Sequence, residues 1–281
     1  MLARAKVNLY LHITGRRADG YHLLDSLIVF ADTGDEVTLA PADHLSLAIE
    51  GPFAAGLDAG PGNLVLRAAR ALQEATGTRA GAAIRLTKNL PIASGIGGGS
   101  ADAAATLAGL CRLWDVAPGR AALLRIAAKL GADVPVCLDG APSFVGGIGE
   151  ELVPARGLPP AWLLLANPGV ATPTPAVFKA RQGSFSKPAR WSEPPRDFAA
   201  FASQLRSSGN DLTAAAIRVT PAIRELLVVL AGLPGCVLAR LSGSGATCFG
   251  LFADEASART AEAELRTAHR GWWVAAAPMA R

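Results

Sequence analysis

Apolar and polar residues alternate strictly near the start of the chain. Ala5, Val7, Leu9, Leu11 and Ile13 fall on one face of a predicted strand, and Lys6, Asn8, Tyr10 and His12 on the other. The polar turn Thr14-Gly15-Arg16-Arg17-Ala18-Asp19-Gly20 follows, and short strands are expected near 26–31, 35–40 and 45–50. Asn63 is placed to cap a helix that runs through Leu72 and closes at Gly77. A strand near 82–88 leads into a glycine-rich segment and an alanine-rich helix ending around Leu113. A helix near 119–130 then stops at Gly131-Ala132-Asp133-Val134-Pro135, and a strand is expected near 142–153. Gly157-Leu158-Pro159-Pro160 reads as a boundary, which divides the chain into domains 1–156 and 157–281. Beyond it, a buried strand begins at Trp162, and residues 183–196 form a polar, proline-rich excursion expected to be mobile. Helices near 197–206, 211–218, 221–231 and 255–268 alternate with strands near 236–241, 246–252 and 272–276. No internal repeat is visible. Helices mixed with short strands argue for α+β layering rather than a regular parallel βαβ array.

Composition narrows the function. The chain has 281 residues, of which 51% are hydrophobic, so core is ample for one large domain or two of ordinary size. Its net charge of +4 is dispersed. That mild excess suits an anionic small molecule, and the absence of a Lys/Arg-rich run argues against a nucleic-acid footprint. Arg16-Arg17 is the densest basic point and reads as a solvated turn. Cys111, Cys137, Cys236 and Cys248 sit in apolar sequence with no CxxC pair and no histidine at metal spacing, as expected for core thiols in a reducing compartment. Arg4 and Lys6 interrupt any signal-peptide core, and the longest uncharged apolar segment, Leu226 to Ala239, contains Pro234 and is too short to span a bilayer. The expectation is a soluble cytoplasmic protein.

The segment Pro91-Ile92-Ala93-Ser94-Gly95-Ile96-Gly97-Gly98-Gly99-Ser100-Ala101 carries the strongest chemical signal. Glycines let backbone approach a ligand closely, and the helix that follows turns its unpaired N–H groups toward the same spot, which makes an anion cradle. A Walker loop requires Lys-Ser or Lys-Thr after its last glycine, but Gly99 is followed by Ser100-Ala101-Asp102. A dinucleotide fingerprint requires glycine where Ser100 stands, and a strand running straight into the loop, which Pro91 breaks. A third kind of nucleotide loop is therefore expected.

Three further clusters matter. Lys6 and Asn8 share a face of the first strand; a lysine there is ordinarily a solvated edge. Asp133 follows a helix and precedes Pro135 by two positions, where an aspartate often satisfies local N–H groups. Leu241-Ser242-Gly243-Ser244-Gly245-Ala246 is a second glycine-hydroxyl loop, which alone would be a plain hairpin turn.

Together these residues resemble the GHMP kinase superfamily over nearly the whole chain. The superfamily pattern, proline, three residues, Gly-Leu, small and hydroxyl residues and then Ala-Ala, reads here from Pro91 through Ser100 to Ala103-Ala104, with Ile96 in place of leucine. Ala93-Ser94 stands where glycines are frequent. Ala5-Lys6-Val7-Asn8-Leu9, Arg17-Ala18-Asp19-Gly20-Tyr21-His22, Gly131-Ala132-Asp133-Val134-Pro135, Pro173-Thr174-Pro175-Ala176-Val177-Phe178-Lys179 and Asn210-Asp211-Leu212 are similar to the branch that phosphorylates a cytidine-diphosphate-linked methylerythritol for isoprenoid precursors by the non-mevalonate route. The resemblance implies a two-domain α+β fold. Its N-terminal domain is ribosomal-protein-like with a left-handed βαβ feature, its C-terminal domain is ferredoxin-like, and the active site lies in the cleft between them.

The same resemblance implies residue roles. Asp133 would accept the proton of the substrate 2-hydroxyl, and Lys6 would favour the ionised carboxylate and the developing alkoxide. ATP would be bound by Pro91, Ser94, Gly95, Ile96, Gly97, Gly98, Gly99, Ser100 and Ala101, with Asn63 and Lys88 toward the adenosine end. Magnesium would arrive with the nucleotide, without a protein ligand assigned. Tyr21 and Phe178 would sandwich the pyrimidine and His22 would read its edge, because stacking alone tolerates any base. Asn8, Thr174 and Gly243 would hold the rest of the substrate together with Asp133. Neither nucleic acid nor membrane is an expected partner, and the chain is expected as a monomer or weak homodimer. Homoserine kinases lack the catalytic aspartate, and mevalonate-type kinases have no use for the Tyr21, His22 and Phe178 group. A non-catalytic sensor on this fold would show loss of Lys6, Asp133 or the loop, and all are present.

Overall fold

A computed structural model describes residues 1–280. The first part of the chain holds β1 (Leu2–Arg16), β2 (His22–Ala42), β3 (Leu45–Glu50), α1 (Leu64–Thr76), β4 (Gly81–Thr87), α2 (Gly98–Leu113), α3 (Arg120–Leu130), α4 (Val134–Asp139), β5 (Ser143–Gly147) and β6 (Glu151–Pro154). The remainder holds β7 (Trp162–Asn167), α5 (Thr174–Ala180), α6 (Phe198–Arg206), α7 (Thr213–Val219), α8 (Ala222–Gly232), β8 (Leu238–Leu241), β9 (Cys248–Phe252), α9 (Glu255–Ala268) and β10 (Trp273–Pro278). Contacts group these elements into two compact units that interleave along the chain. One comprises Met1–Ala5, Thr33–Ile92 and Gly97–Gly140, the other Lys6–Asp32, Ala93–Ile96 and Ala141–Arg281.

In the first unit β4 pairs in parallel with β3 and antiparallel with Glu36–Ala42 of β2. Val65, Leu66, Ala69 and Leu72 of α1 and Ala103, Ala104, Leu107 and Leu110 of α2 close over Ile84 and Leu86 of the sheet. Asn63 caps α1 as its spacing predicts: its Oδ1 accepts from the Val65 N–H at 2.9 Å, and Gly77 ends the helix in the left-handed region. Small residues on α2 let the sheet approach closely: the Cβ that Gly109 lacks would stand 2.4 Å from a methyl of Leu39 in β2.

In the second unit Leu24–Ile28 of β2 pair antiparallel with β5, and β5 with β6. A separate antiparallel sheet runs β10-β7-β9-β8. That order, with helices between β7 and β8 and α9 between β9 and β10, is the ferredoxin-like arrangement expected for the C-terminal region. Its strand β9 is buried throughout, and Leu164, Ala166, Cys248 and Phe252 pack on Leu226, Leu230, Ala261 and Leu265 of the helices.

Several sequence expectations are corrected. The strands expected near 26–31 and 35–40 are one continuous strand, β2. Asp35 does not break it, because its buried Oδ1 accepts from the N–H groups of Asn89 (2.6 Å) and Leu90 (2.8 Å). The strand expected near 142–153 is a hairpin, turned at Gly149, whose N–H donates to Gly146 O at 3.0 Å. The stop expected at 131–135 does end α3, and the short helices α4 and α5 are additions that the sequence pattern does not place. Pro135 and Pro175 occupy first-turn positions, where a missing N–H costs nothing. The polar face of β1 is not a solvated edge: Lys6, Asn8 and Tyr10 are buried.

The 183–196 excursion, expected to be mobile, is tethered. Ser186 N–H donates to Ile13 O at 2.9 Å and its hydroxyl to Asp211 Oδ1 at 3.0 Å. His12 Nδ1 lies 2.9 Å from Lys187 O. Asp25, itself buried, accepts from Ala189 N–H (2.7 Å), Arg190 Nε (2.8 Å) and the Tyr10 hydroxyl (3.0 Å). Trp191 stands edge-on to Phe144 and Phe201. Asp25→Ala is expected to cost about 1–3 kcal/mol by leaving the Tyr10 hydroxyl buried without an acceptor. It should also expose the Arg190-Trp191 bond to trypsin. Urea unfolding and timed proteolysis read both effects, and an uncleaved variant of wild-type stability would refute the tether.

Candidate functional site

The residues singled out by sequence fall into two groups, one in each unit. In the first unit, α2 opens the anion cradle. Gly97 is its N-cap in the left-handed region at φ 67°, and the Ala101 N–H makes the first helical bond, to Gly97 O at 2.8 Å. The N–H groups of Gly98, Gly99 and Ser100 precede that bond and therefore lack intrahelical acceptors. They and the helix dipole favour an anion at this end. Gly99 is exposed, and no atom lies within 4 Å of where its Cβ would stand, so the approach is open.

Behind the cradle Lys88 is not reaching outward. Its ammonium pairs with Asp35 and with Asp102 Oδ2 at 2.8 Å, and all three side chains are buried. A Cβ on Gly98 would stand 3.3 Å from Asp35 Oδ2 and 3.5 Å from Lys88 Nζ, so the ion group lies directly beneath the first residue of α2. Burial pushes the Asp102 carboxyl up to about 7; Lys88 opposes that shift and Asp35 adds to it. Burial alone would lower Lys88, but the two carboxylates raise it. Asp102 Oδ1 has no hydrogen-bond partner among the described residues. Sequence reasoning missed Asp35 and Asp102 as members of the site. Their signal was a carboxylate interrupting an apolar strand and another interrupting an alanine-rich helix.

Asn63 serves as the cap its spacing predicts. Its amide oxygen caps α1 and its Nδ2 donates to Asp58 O at 2.7 Å, so both ends of the amide are engaged within the turn. Asp133 occupies the N-cap position of α4, half-buried, with no side-chain capping bond. Its carbonyl accepts from the Cys137 N–H at 3.2 Å.

In the second unit Ala93–Ile96 form the entry to the glycine loop. Ala93 has φ 50°, a left-handed conformation that disfavours a Cβ, which accounts for the frequent glycine in the pattern. Gly95 has no such latitude: a Cβ there would stand 2.5 Å from Ser242 O. Ser242 ties the two glycine loops together, its hydroxyl donating to Gly95 O at 3.1 Å and accepting from the Asn8 N–H at 3.2 Å. Asn210 Nδ2 donates to Leu241 O and Gly243 O, holding the second loop from the opposite side. The buried Arg240 guanidinium, held down to about 10 by that burial, donates to the carbonyls of Leu9, Leu205 and Ser208. It fixes the strand that enters this loop against β1.

Lys6 Nζ donates to Asn8 Oδ1 at 3.0 Å, and the Lys6 N–H donates to Ile96 O at 2.9 Å. The Asn8 amide nitrogen donates to Ser26 Oγ at 2.8 Å. The expected base-binding residues are also in this unit. His22 and Phe178 lie with ring centroids 5.1 Å apart, tilted by 36°, while Tyr21 is 62% exposed and leaves a free aromatic face. Burial, followed by the Arg16 and Arg181 guanidiniums, holds His22 below its usual value, which favours the neutral imidazole. Thr174 Oγ1 lies 2.7 Å from Ser244 Oγ, which ties α5 to the second glycine loop.

In the first unit, a glycine cradle at a helix N-terminus over a buried ion group is the kind of anion-binding feature a phosphotransferase uses. Comparison with known proteins gives the class. Residues 63–147 match the GHMP kinases N terminal domain and residues 190–271 the GHMP kinases C terminal domain. The chain belongs to the GHMP kinase family. It is 57% identical to 4-diphosphocytidyl-2-C-methyl-D-erythritol kinase of Paramagnetospirillum magneticum, over 99% of this chain and 97% of that one. It is likewise 57% identical to the protein of the same name in Rhodospirillum rubrum, over 98% and 90% of the two chains. Among solved structures, a 4-(cytidine 5'-diphospho)-2C-methyl-D-erythritol kinase superimposes with TM-score 0.81 at 34% identity, covering 100% of this chain and 99% of that one. Homoserine kinase of Cytophaga hutchinsonii, at 18% identity and TM-score 0.71 over 100% and 95% of the chains, shares the fold. No helix among the described residues is long and apolar enough to cross a membrane.

Proposed function

We propose that this protein transfers the γ-phosphoryl group of ATP to the 2-hydroxyl of 4-diphosphocytidyl-2-C-methyl-D-erythritol, giving the 2-phosphate and ADP in the non-mevalonate route to isoprenoid precursors. The full-length likeness to relatives of that name carries the reading. The Tyr21, His22 and Phe178 group supports the choice of a cytidine substrate, because it offers stacking faces beside an imidazole, favoured in its neutral form, that can pair with a base edge.

Phosphoryl transfer needs the phosphates held in line, their charge offset and the attacking hydroxyl oriented. Asp133 is the group that takes the 2-hydroxyl proton, and Lys6 stabilises the oxyanion character that develops. Pro91, Ser94, Gly95 and Ile96 shape the entry to the phosphate loop. Gly97, Gly98, Gly99, Ser100 and Ala101 present its N–H groups. Lys88 acts from beneath, through its ion pairs, and Asn63 by setting the start of α1. Asn8, Thr174 and Gly243 line the substrate side. Magnesium would come with the nucleotide and offset the phosphate charge there. The enzyme acts in the cytoplasm as a monomer or weak homodimer, and the boundary near residue 156 separates its two family regions.

An ADP-release assay with the diphosphocytidyl substrate beside mevalonate and homoserine tests the reading. Turnover confined to the cytidine substrate supports it, and turnover confined to another alcohol overturns the base-site assignments. ATP binding without turnover would point instead to a sensor. For the wild type, KM for the cytidine substrate is expected to stay flat from pH 8 through neutrality. It should rise only below the ordinary histidine range, as the depressed His22 finally gains a proton. A His22→Gln variant should show a higher KM and no such rise.

A further inference from the structure

We infer that Ser26 is a positioning residue for Lys6, acting through the Asn8 amide; the inference rests on the proposed role of Lys6. An asparagine amide has two ends of similar shape and opposite hydrogen-bonding character, so its neighbours decide which end faces where. Here the decision starts at a backbone carbonyl. Tyr10 O can only accept, and Ser26 Oγ lies 2.5 Å from it, so the single Ser26 hydroxyl proton is committed to Tyr10. The Ser26 oxygen is then left as an acceptor. Asn8 must therefore turn its NH2 toward Ser26, at 2.8 Å, and its carbonyl oxygen toward Lys6 Nζ, at 3.0 Å.

The chain of donors thus runs in one direction, from Lys6 to Asn8 to Ser26 to the Tyr10 carbonyl. Burial makes the order binding: Lys6 is 5% exposed, Asn8 3%, Ser26 1% and Tyr10 0%, so water does not substitute freely for a lost partner. The Asn8 backbone N–H is held separately, by the Ser242 hydroxyl at 3.2 Å, so the side-chain amide takes its orientation from Ser26 and Lys6 together. Without the Ser26 oxygen the Asn8 NH2 is orphaned. Rotating it to the other side would set its partial positive charge against the Lys6 ammonium. Both arrangements move or loosen Lys6 while leaving the nucleotide cradle untouched.

The test compares wild type, Ser26→Ala, Ser26→Thr, Asn8→Ala and the Ser26→Ala/Asn8→Ala double variant. Ser26→Ala is expected to lower kcat about tenfold with both KM values within about twofold, and Ser26→Thr, which keeps the hydroxyl, to restore most of it. In the Asn8→Ala background the same Ser26 change should have almost no further effect on kcat, because the group through which it acts is gone. A purely structural role would give additive losses, and unchanged kcat in Ser26→Ala would overturn the inference. Hydrogen exchange of the Asn8 side-chain amide, followed by NMR, decides independently of turnover. Protection in the wild type that is lost in Ser26→Ala is expected, and an unprotected wild-type amide refutes the assignment. If the wild type shows no turnover, the proposed reaction fails, while the exchange measurement still decides the role of Ser26.

Discussion

Lys88→Met is expected to destabilise the protein by about 3–5 kcal/mol, the range for removing one partner from a buried ion group. The side chains are of similar length, so the loss is one of charge rather than of packing. Asp35 and Asp102 would be left facing each other in a site from which water is excluded. The variant can recover part of the loss only by protonating its carboxylates, so it should be less stable at pH 8 than at pH 5. In the wild type Asp102 already titrates near 7 rather than in the usual carboxylate range. A carboxyl raised in the folded state binds its proton more tightly than in the unfolded chain. Its contribution is complete at acid pH and declines as pH rises from about 4 toward 7. Asp102→Asn should therefore flatten that part of the stability profile while keeping the Lys88–Asp35 pair. Denaturant unfolding at pH 5 and pH 8 checks both variants. A Lys88→Met protein within 1 kcal/mol of wild type at pH 8 would show that the ion group contributes little. Because the group lies beneath Gly98, ATP affinity should fall along with stability.

Asp133→Asn should lower kcat by about 10²–10⁴-fold, the contribution of a positioned general base. Amide and carboxylate have the same shape, so the packing around α4 is kept and thermal stability should change little. ATP affinity, set at the α2 cradle, should remain within about twofold of wild type. ADP release measures the first quantity and calorimetric titration of ATP the second. Activity within tenfold of wild type would remove Asp133 from its proposed role. Loss of ATP binding together with activity would show that the substitution acts on the fold.

Much of the architecture was legible in order and spacing. The cap at Asn63, the stop at Gly77, the helix start expected at Ser100 and the helix Glu255–Ala268 follow from local chemistry, and the structure places them within a residue or two of expectation. The misreadings share a cause. The short helices that hold Pro135 and Pro175 in their first turns carry too little periodicity to be read from local pattern. The carboxylate of Asp35 looks like a strand end until Lys88 and two backbone N–H groups are seen to satisfy it. Polar residues in strands are ambiguous in sequence because their partners lie far away in the chain.

The same limit applies to the candidate site. Sequence alone determined the α+β class, the glycine-rich loop at 91–101 proposed to bind phosphate and the set of residues proposed to act, because each depends on residue type and near-neighbour spacing. Only the tertiary structure decided what those residues face. It turned the Lys88 ammonium onto Asp35 and Asp102, across 53 and 14 positions of chain. It tied the proline-rich excursion to Asp25 over 164 and 165 positions. It also set Asn8 between Lys6 and Ser26. Buried charges and amides take their meaning from partners that folding brings within about 3 Å, and no local pattern encodes that distance.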